Sequence, residues 1–109
     1  MKHLIFIISL MCCSSVASAV DMPKLAKKNC AGCHAIDKKI VGPAWLEVAK
    51  HYQGNTEASI FLPNIIKQGG FGVWGPLPMP AQHVTDEEAA TLVKFILELS
   101  GKPTIVSGR

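Results

Sequence analysis

The chain has 109 residues, a formal net charge of +3 and a hydrophobic fraction of 49%. This length provides for one small domain, and the weak positive charge gives no indication of nucleic-acid binding. Aromatic residues make up only 6% of the chain, so bulky apolar side chains are scarce in a domain of marginal size. The composition is compatible with a large apolar cofactor at the centre of the domain.

Residues 1–19 have the organisation of a secretory signal peptide. Lys2 gives a positive start, residues 4–13 form an apolar run, and Ala17-Ser18-Ala19 is a small-residue cleavage site. The run is too short for a membrane-spanning helix, which needs about 20 apolar residues. We therefore predict export to the periplasm, cleavage after Ala19, no stable membrane insertion, and a mature domain of residues 20–109.

Processing would leave only Cys30 and Cys33 of the four cysteines in the mature domain. Cys12 and Cys13 end the apolar run, but the residues before them are not the small ones that a lipoprotein site needs. Loss of Lys2 reduces the eleven basic residues to ten, against eight acidic residues, which gives a net charge of +2. In an oxidising compartment, the spacing of the remaining cysteines is compatible with a redox disulfide, part of a metal site or a haem attachment site.

The first predicted helix covers residues 23–28, with proline in its first turn and Asn29 ending it. Directly after it, Cys30-Ala31-Gly32-Cys33-His34 is the C-x-x-C-H attachment sequence of c-type haem. Two thiols at this spacing can each add to one vinyl group of the same porphyrin, and the histidine then lies beneath the iron. The sequence therefore predicts one covalent haem c, bound by Cys30 and Cys33, with His34 as an iron ligand.

Two other kinds of site use the same cysteine spacing. A thioredoxin-like site accompanies a βαβ pattern, and no strand pattern of comparable strength occurs in this chain. A structural zinc site needs four ligands, and only His51 and His83 remain to complete one, at spacings that are not typical of zinc sites. We therefore favour the haem interpretation.

Two more helices are predicted in the middle of the domain. The second covers residues 44–52. Its apolar residues share one face at helical spacing: Trp45, Val48, Ala49 and Tyr52. A third helix, capped by Thr56, is predicted to reach Gln68. Pro63 lies inside it, and proline removes a helix hydrogen bond, so we expect this helix to be kinked or divided.

A second iron ligand is predicted in the loop of residues 69–82, which is rich in glycine and proline. Met79 lies there between Pro78 and Pro80, and prolines stiffen the backbone because they fix φ. A rigid loop can hold a thioether sulfur against iron, although methionine is also a common core filler. The other candidate ligands are His51, His83 and Met22. We choose Met79 because its proline frame has no other evident purpose.

The last helix has the clearest signals. Thr85 and Glu88 form a capping box at its start. Its apolar stripe consists of Leu92, Phe95, Ile96 and Leu99. Gly101 and Pro103 mark its end, and the tail up to Arg109 is expected to be frayed. Since every predicted element is helical, the predicted fold class is all-α.

Together these motifs resemble the small bacterial class I cytochromes c, the cytochrome c-551/c-552 group. The resemblance spans residues 23–99. It rests on four segments: Cys30 to Asp37, Val41 to Ala44, Gly72 to Pro80, and Asp86 to Ala89. It implies a small class I cytochrome c fold, with short helices wrapped around one haem and the first and last helices crossing near Leu25 and Phe95.

The resemblance also implies roles for side chains around the haem. The carbonyl of Pro43 would accept a hydrogen bond from His34, and such bonds orient a ligand and tune its basicity. Trp74 would donate its indole N–H to a haem propionate, and Gln82 would lie near the Met79 sulfur. Taken alone, Pro43 would indicate only a helix start, and the alternative for Trp74 is a core tryptophan. Gln82 is equally compatible with a solvated loop residue.

Three features depart from the family pattern. Pro63 interrupts the third helix, and the tail after Leu99 is longer than usual. Ile65 stands where some members carry a basic residue that faces a propionate, so the number of propionate partners is left open.

His/Met ligation raises the reduction potential of a haem, and it occupies both axial positions of the iron. Since no position then remains for a substrate, we predict a periplasmic one-electron carrier, and not an enzyme. The alternative is a haem subunit of a larger oxidoreductase or a small peroxidase, which would need an open axial position. The expected partners are redox proteins such as a nitrite reductase, a terminal oxidase or a quinol-oxidising complex, and the chain itself is expected to be a monomer.

Lysines flank the attachment motif on both sides. They are Lys24, Lys27, Lys28, Lys38 and Lys39. In the implied fold several of them would surround the exposed haem edge, where their charge would steer an acidic partner. The alternative is an ordinary solvated face.

Overall fold

The computed structural model describes residues 20–101, and every secondary-structure element assigned in this range is a helix. The elements are α1 (Lys24–Asn29), α2 (Trp45–His51), α3 (Ala58–Gln68), α4 (Asp86–Glu98) and a closing 3-10 turn, Leu99–Gly101. The predicted all-α class is confirmed over this range. The predicted signal peptide and the tail beyond Gly101 lie outside the described residues.

The start of α4 is held by the predicted capping box, which is confirmed. The Glu88 N–H donates to Thr85 Oγ1 at 3.1 Å, and the Thr85 N–H donates to Glu88 Oε2 at 2.8 Å. Three acidic residues occupy the first turn, where negative charge is favourable beside the unpaired N–H groups of the helix end. These contacts fix the point at which the chain leaves the 69–82 loop and enters α4.

The structure corrects two details of the third helix. Of the two outcomes expected at Pro63, a kink or a division, the division does not occur, because Pro63 lies inside one continuous helix. The carbonyl that loses its partner belongs to the exposed Ser59, so water can replace the missing hydrogen bond. Thr56 is also not the cap, because Glu57 directly precedes the helix and no side chain caps its start. The side chain of Asn55 accepts the Glu57 N–H at 3.0 Å in the turn before the helix. Thr56 instead contributes its carbonyl, which accepts from the Ser59 hydroxyl at 3.3 Å.

The core lies where α1, α2 and α3 pack against α4. On α2, the predicted apolar face is confirmed: Trp45, Val48 and Ala49 are buried, and Tyr52 is half-buried. Ala26 of α1 and Ala89 of α4 are completely buried, and side chains this small let two helices approach closely. Leu25 and Phe95 pack at the margin of the same core. Within residues 20–101, no helix is both long enough and apolar enough to span a membrane.

Candidate functional site

A cavity of about 370 Å³ lies between α2, α3, α4 and two loops. One loop follows α1 and the other precedes α4. The helices supply mostly apolar walls: Trp45, Val48, Leu62, Ile66, Leu92 and Ile96. A cavity of this size with apolar walls and few polar groups is typical of a cofactor site.

The cysteine motif forms part of the cavity wall. The Cys30 N–H donates to the Ala26 carbonyl at 2.8 Å, and the N–H groups of Cys33 and His34 donate to the Cys30 carbonyl at 3.0 and 2.9 Å. These tight turns continue α1 and bring Cys30, Cys33 and His34 to the cavity together. No disulfide joins the two cysteines. Burial raises the pKa of the Cys30 thiol, with a further contribution from Cys33, so Cys30 presents a neutral thiol at pH 7.

The His34 ring is fixed from two sides. Its Nδ1 lies 2.9 Å from the Pro43 carbonyl oxygen. Since a carbonyl can only accept, Nδ1 must be the protonated nitrogen, and Nε2 keeps its lone pair free to bind a metal. On the other side, the ring stacks on Trp45 with a centroid separation of 5.7 Å.

Gly42 is a site residue whose role the sequence did not indicate. A Cβ atom at this position would lie 2.5 Å from Cε1 of His34 and 2.9 Å from Nδ1. Any side chain would therefore have to displace the ring from its hydrogen bond with Pro43. The Gly42 N–H also donates to the Cys33 carbonyl at 2.8 Å, which ties this loop back to the cysteine motif.

Met79 also reaches the cavity. It is half-buried and lines the same cavity as His34. Its backbone pairs with Gly70: the Met79 N–H donates to the Gly70 carbonyl at 2.7 Å, and the Gly70 N–H donates to the Met79 carbonyl at 3.0 Å. The structure therefore brings six of the predicted site residues to one cavity: Cys30, Cys33, His34, Pro43, Trp74 and Met79.

Trp74 and Gln82 differ in their relation to the cavity. Trp74 lines the cavity and is 40% exposed, with its ring 4.9 Å from that of His51. The Gln82 side chain donates to the Pro80 carbonyl at 3.1 Å, and Gln82 is not among the residues that line the cavity. Its approach to the Met79 sulfur stays a prediction. The rejected ligand candidates, His51, His83 and Met22, do not line the cavity either.

A sequence model of the family described as Cytochrome c matches residues 20–100. The chain belongs to the cytochrome c family. It is 51% identical over 70 residues to cytochrome c-551 of Pseudomonas aeruginosa, covering 64% of this chain and 67% of the relative. It is also 51% identical over 77 residues to cytochrome c-552 of Hydrogenobacter thermophilus, covering 70% of this chain and 79% of the relative.

The fold of this cytochrome is similar to that of a solved relative. The crystal structure of wild-type Nitrosomonas europaea cytochrome c552 superimposes with a TM-score of 0.67 at 44% identity, covering 70% of this chain and 96% of the other. Fold and sequence thus agree on a small class I cytochrome c. The predicted family, the predicted fold and the predicted single covalent haem c are confirmed, and the protein is a small haem c electron carrier.

The cavity fits the group that this family binds. The attachment chemistry needs two neighbouring thiols, and Cys30 and Cys33 both line the cavity without a disulfide between them. A haem iron needs an imidazole with an unprotonated nitrogen, and the Pro43 carbonyl imposes that tautomer on His34. Within residues 20–101, no three side chains of His, Cys, Asp or Glu are grouped as a metal site would require, so a zinc site at Cys30 and Cys33 has no additional ligands there.

Proposed function

We propose that this cytochrome carries single electrons in the periplasm, with its haem held by Cys30, Cys33, His34 and Met79. Cys30 and Cys33 would form the thioether bonds, and His34 and Met79 would be the two axial ligands of the iron. The observation that carries the proposal is that an imidazole and a thioether, each fixed through backbone contacts, line one apolar cavity beside the two thiols. Bound there, the haem supplies the reversible ferric/ferrous couple.

The chain's own residues support transfer of electrons rather than chemistry on a substrate. Two protein ligands would leave the iron without an open axial position, which a peroxidase would need. The apolar walls would shield the bound haem from water, and a low-polarity site favours a high reduction potential together with a Met ligand. A rigid ligand set would change little between the two oxidation states, which would keep the reorganisation small. We therefore propose a carrier and not an enzyme.

Three further residues would tune the site. The Pro43 carbonyl would orient His34 and make its ring more basic. Trp74 lines the cavity and is partly exposed, so its indole N–H is available to a propionate at the edge of the site. Gln82 would act on the Met79 sulfur only if its amide left the Pro80 carbonyl. We also propose that residues 1–19 direct export, with cleavage after Ala19.

The protein itself would work as a monomer. Its exposed lysines favour a redox partner with an acidic surface. Lys38 and Lys39 are exposed, and Lys39 is among the residues that line the cavity. Lys27, by contrast, is paired with Asp21 at 3.2 Å. Positive charge beside the site would guide an acidic surface toward the haem edge and raise the association rate at low salt. A nitrite reductase, a terminal oxidase and a quinol-oxidising complex are all partners of the required redox class.

The carrier proposal is tested by mixing the reduced protein with purified acceptors of these three classes in a stopped-flow instrument. One acceptor should reoxidise the protein in a second-order reaction that slows as salt is added. Lys39→Glu should slow that reaction by about two- to tenfold at low salt and flatten its salt dependence.

Lys94→Glu is the matched control, because it changes the net charge equally at an exposed position of α4 that does not line the cavity. Equal slowing by the two variants would refute local steering. Failure of every acceptor to take electrons from the protein would count against the carrier itself.

A further inference from the structure

The loop between α3 and α4 is anchored at Met79 itself. Met79 and Gly70 exchange two backbone hydrogen bonds, of 2.7 and 3.0 Å. This pair is one of two isolated β-bridges in residues 20–101, so it is a local contact between two segments and not part of a sheet. Because both main-chain polar groups of Met79 are used, the backbone that carries the sulfur has a defined position.

Gly69, which follows the last residue of α3, packs directly against this bridge. Its φ of 83° and ψ of 173° lie in a region that essentially only glycine adopts. A Cβ atom here would lie 2.6 Å from the Met79 carbonyl oxygen and 3.1 Å from the Ala81 nitrogen. Both are backbone atoms, which cannot turn aside as the end of a flexible side chain can. A larger residue at this position would therefore push the Met79 segment.

The ends of the loop are fixed independently of the bridge. The Gln82 N–H donates to the Ile66 carbonyl at 2.9 Å, and the Lys67 ammonium group contacts the Asp86 carboxylate. Since α3 and α4 are joined at the base of the loop, a displacement produced at Gly69 would be taken up by the Met79 segment rather than by the helices.

We propose that Gly69 and Gly70 are positioning residues that determine how firmly the Met79 sulfur is held on the haem iron. Gly70 supplies the two hydrogen bonds, and Gly69 leaves the space in which the Met79 carbonyl sits. The inference rests on the proposed ligation by Met79. It adds that the strength of the sulfur–iron bond depends on this contact and not only on the methionine.

The test compares Gly69→Ala with Gly54→Ala in the mature holoprotein. Gly54 has nearly the same φ, 80°, but a Cβ atom there would meet nothing within 4 Å. Imidazole is added to each ferric protein, and its replacement of the sulfur is followed by the loss of the sulfur-to-iron charge-transfer band at the red end of the visible spectrum. We expect Gly69→Ala to bind imidazole about tenfold more tightly or better, and Gly54→Ala to stay within about twofold of the unchanged protein.

A merely structural role for Gly69 would lower the unfolding temperature without this selective change in imidazole affinity, and that result would overturn the inference. If the unchanged protein lacks the charge-transfer band, the ligation proposal fails, and this inference fails with it. If the band is present but the two variants bind imidazole equally, only the inference fails.

Amide hydrogen exchange provides a second test should Gly69→Ala not fold. In the unchanged holoprotein, the N–H groups of Gly70 and Met79 should exchange much more slowly than that of the exposed Phe71 between them. Equal exchange rates at the three positions would overturn the inference that the bridge holds the Met79 segment in place.

Discussion

Met79→Ala should abolish the sulfur-to-iron charge-transfer band of the ferric protein and make the ferrous protein bind carbon monoxide rapidly. Removal of the thioether leaves one axial position without a protein ligand, because the rejected candidates His51, His83 and Met22 do not line the cavity. The reduction potential should also fall, since the methionine ligand is one of the groups that raise it. Visible spectroscopy, carbon monoxide mixing and a redox titration measure the three effects.

Met22→Ala is the matched control for this variant. Met22 is the only other methionine between residues 20 and 101, and it packs at the margin of the hydrophobic core. It should lose some thermal stability but keep the band, the potential and the lack of reaction with carbon monoxide. A Met79→Ala protein whose spectrum equals that of the unchanged protein would refute the axial assignment.

Replacement of both cysteines, Cys30→Ala with Cys33→Ala, should release the haem whenever the protein is denatured. Thioether bonds survive denaturation, whereas iron–ligand bonds from His34 and Met79 do not. Haem staining of the chain after denaturing electrophoresis measures this directly. Each single variant is a control, because the remaining cysteine should still hold the haem to the denatured chain. Haem that stays on the denatured double variant would contradict the attachment proposal.

The same double variant should also be unable to keep its fold once the haem has been removed. Removal of the haem takes away the packing partner of the apolar walls around a cavity of about 370 Å³, and the whole stability of a small domain is only about 5–15 kcal/mol. Far-ultraviolet circular dichroism should show a large loss of helix in the stripped chain, and retention of the full helical signal would contradict this expectation.

The sequence predicted best those features that depend on residues close together in the chain. The two residues of the capping box, Thr85 and Glu88, are three positions apart, and both of its hydrogen bonds are present. The apolar face of α2 repeats at helical spacing, and it is buried as predicted. Such signals depend only on local geometry, so they are sufficient to predict the helices and the cysteine motif.

The parts that were missed depend on contacts between segments or on competition between neighbours. Gly42 touches the His34 ring, and no periodicity indicates a backbone that approaches an imidazole. The bridge from Gly70 to Met79 likewise joins residues that have no common pattern. Threonine is a good cap by propensity, so the sequence predicts Thr56 at the start of α3, yet Glu57 precedes the helix and no side chain caps it. Asn55 instead accepts the Glu57 N–H within the turn before the helix. Propensity alone cannot show which residue of such a turn makes a bond.

The central claim is that the iron is held by His34 and Met79 with no open position, and the reaction of the unchanged ferrous protein with carbon monoxide tests it most directly. The account predicts that the spectrum of the reduced protein does not change when carbon monoxide is added at neutral pH, while the ferric protein shows the sulfur-to-iron band. Rapid formation of a carbon monoxide complex without that band would contradict the account and favour an enzyme or a sensor with an open axial position.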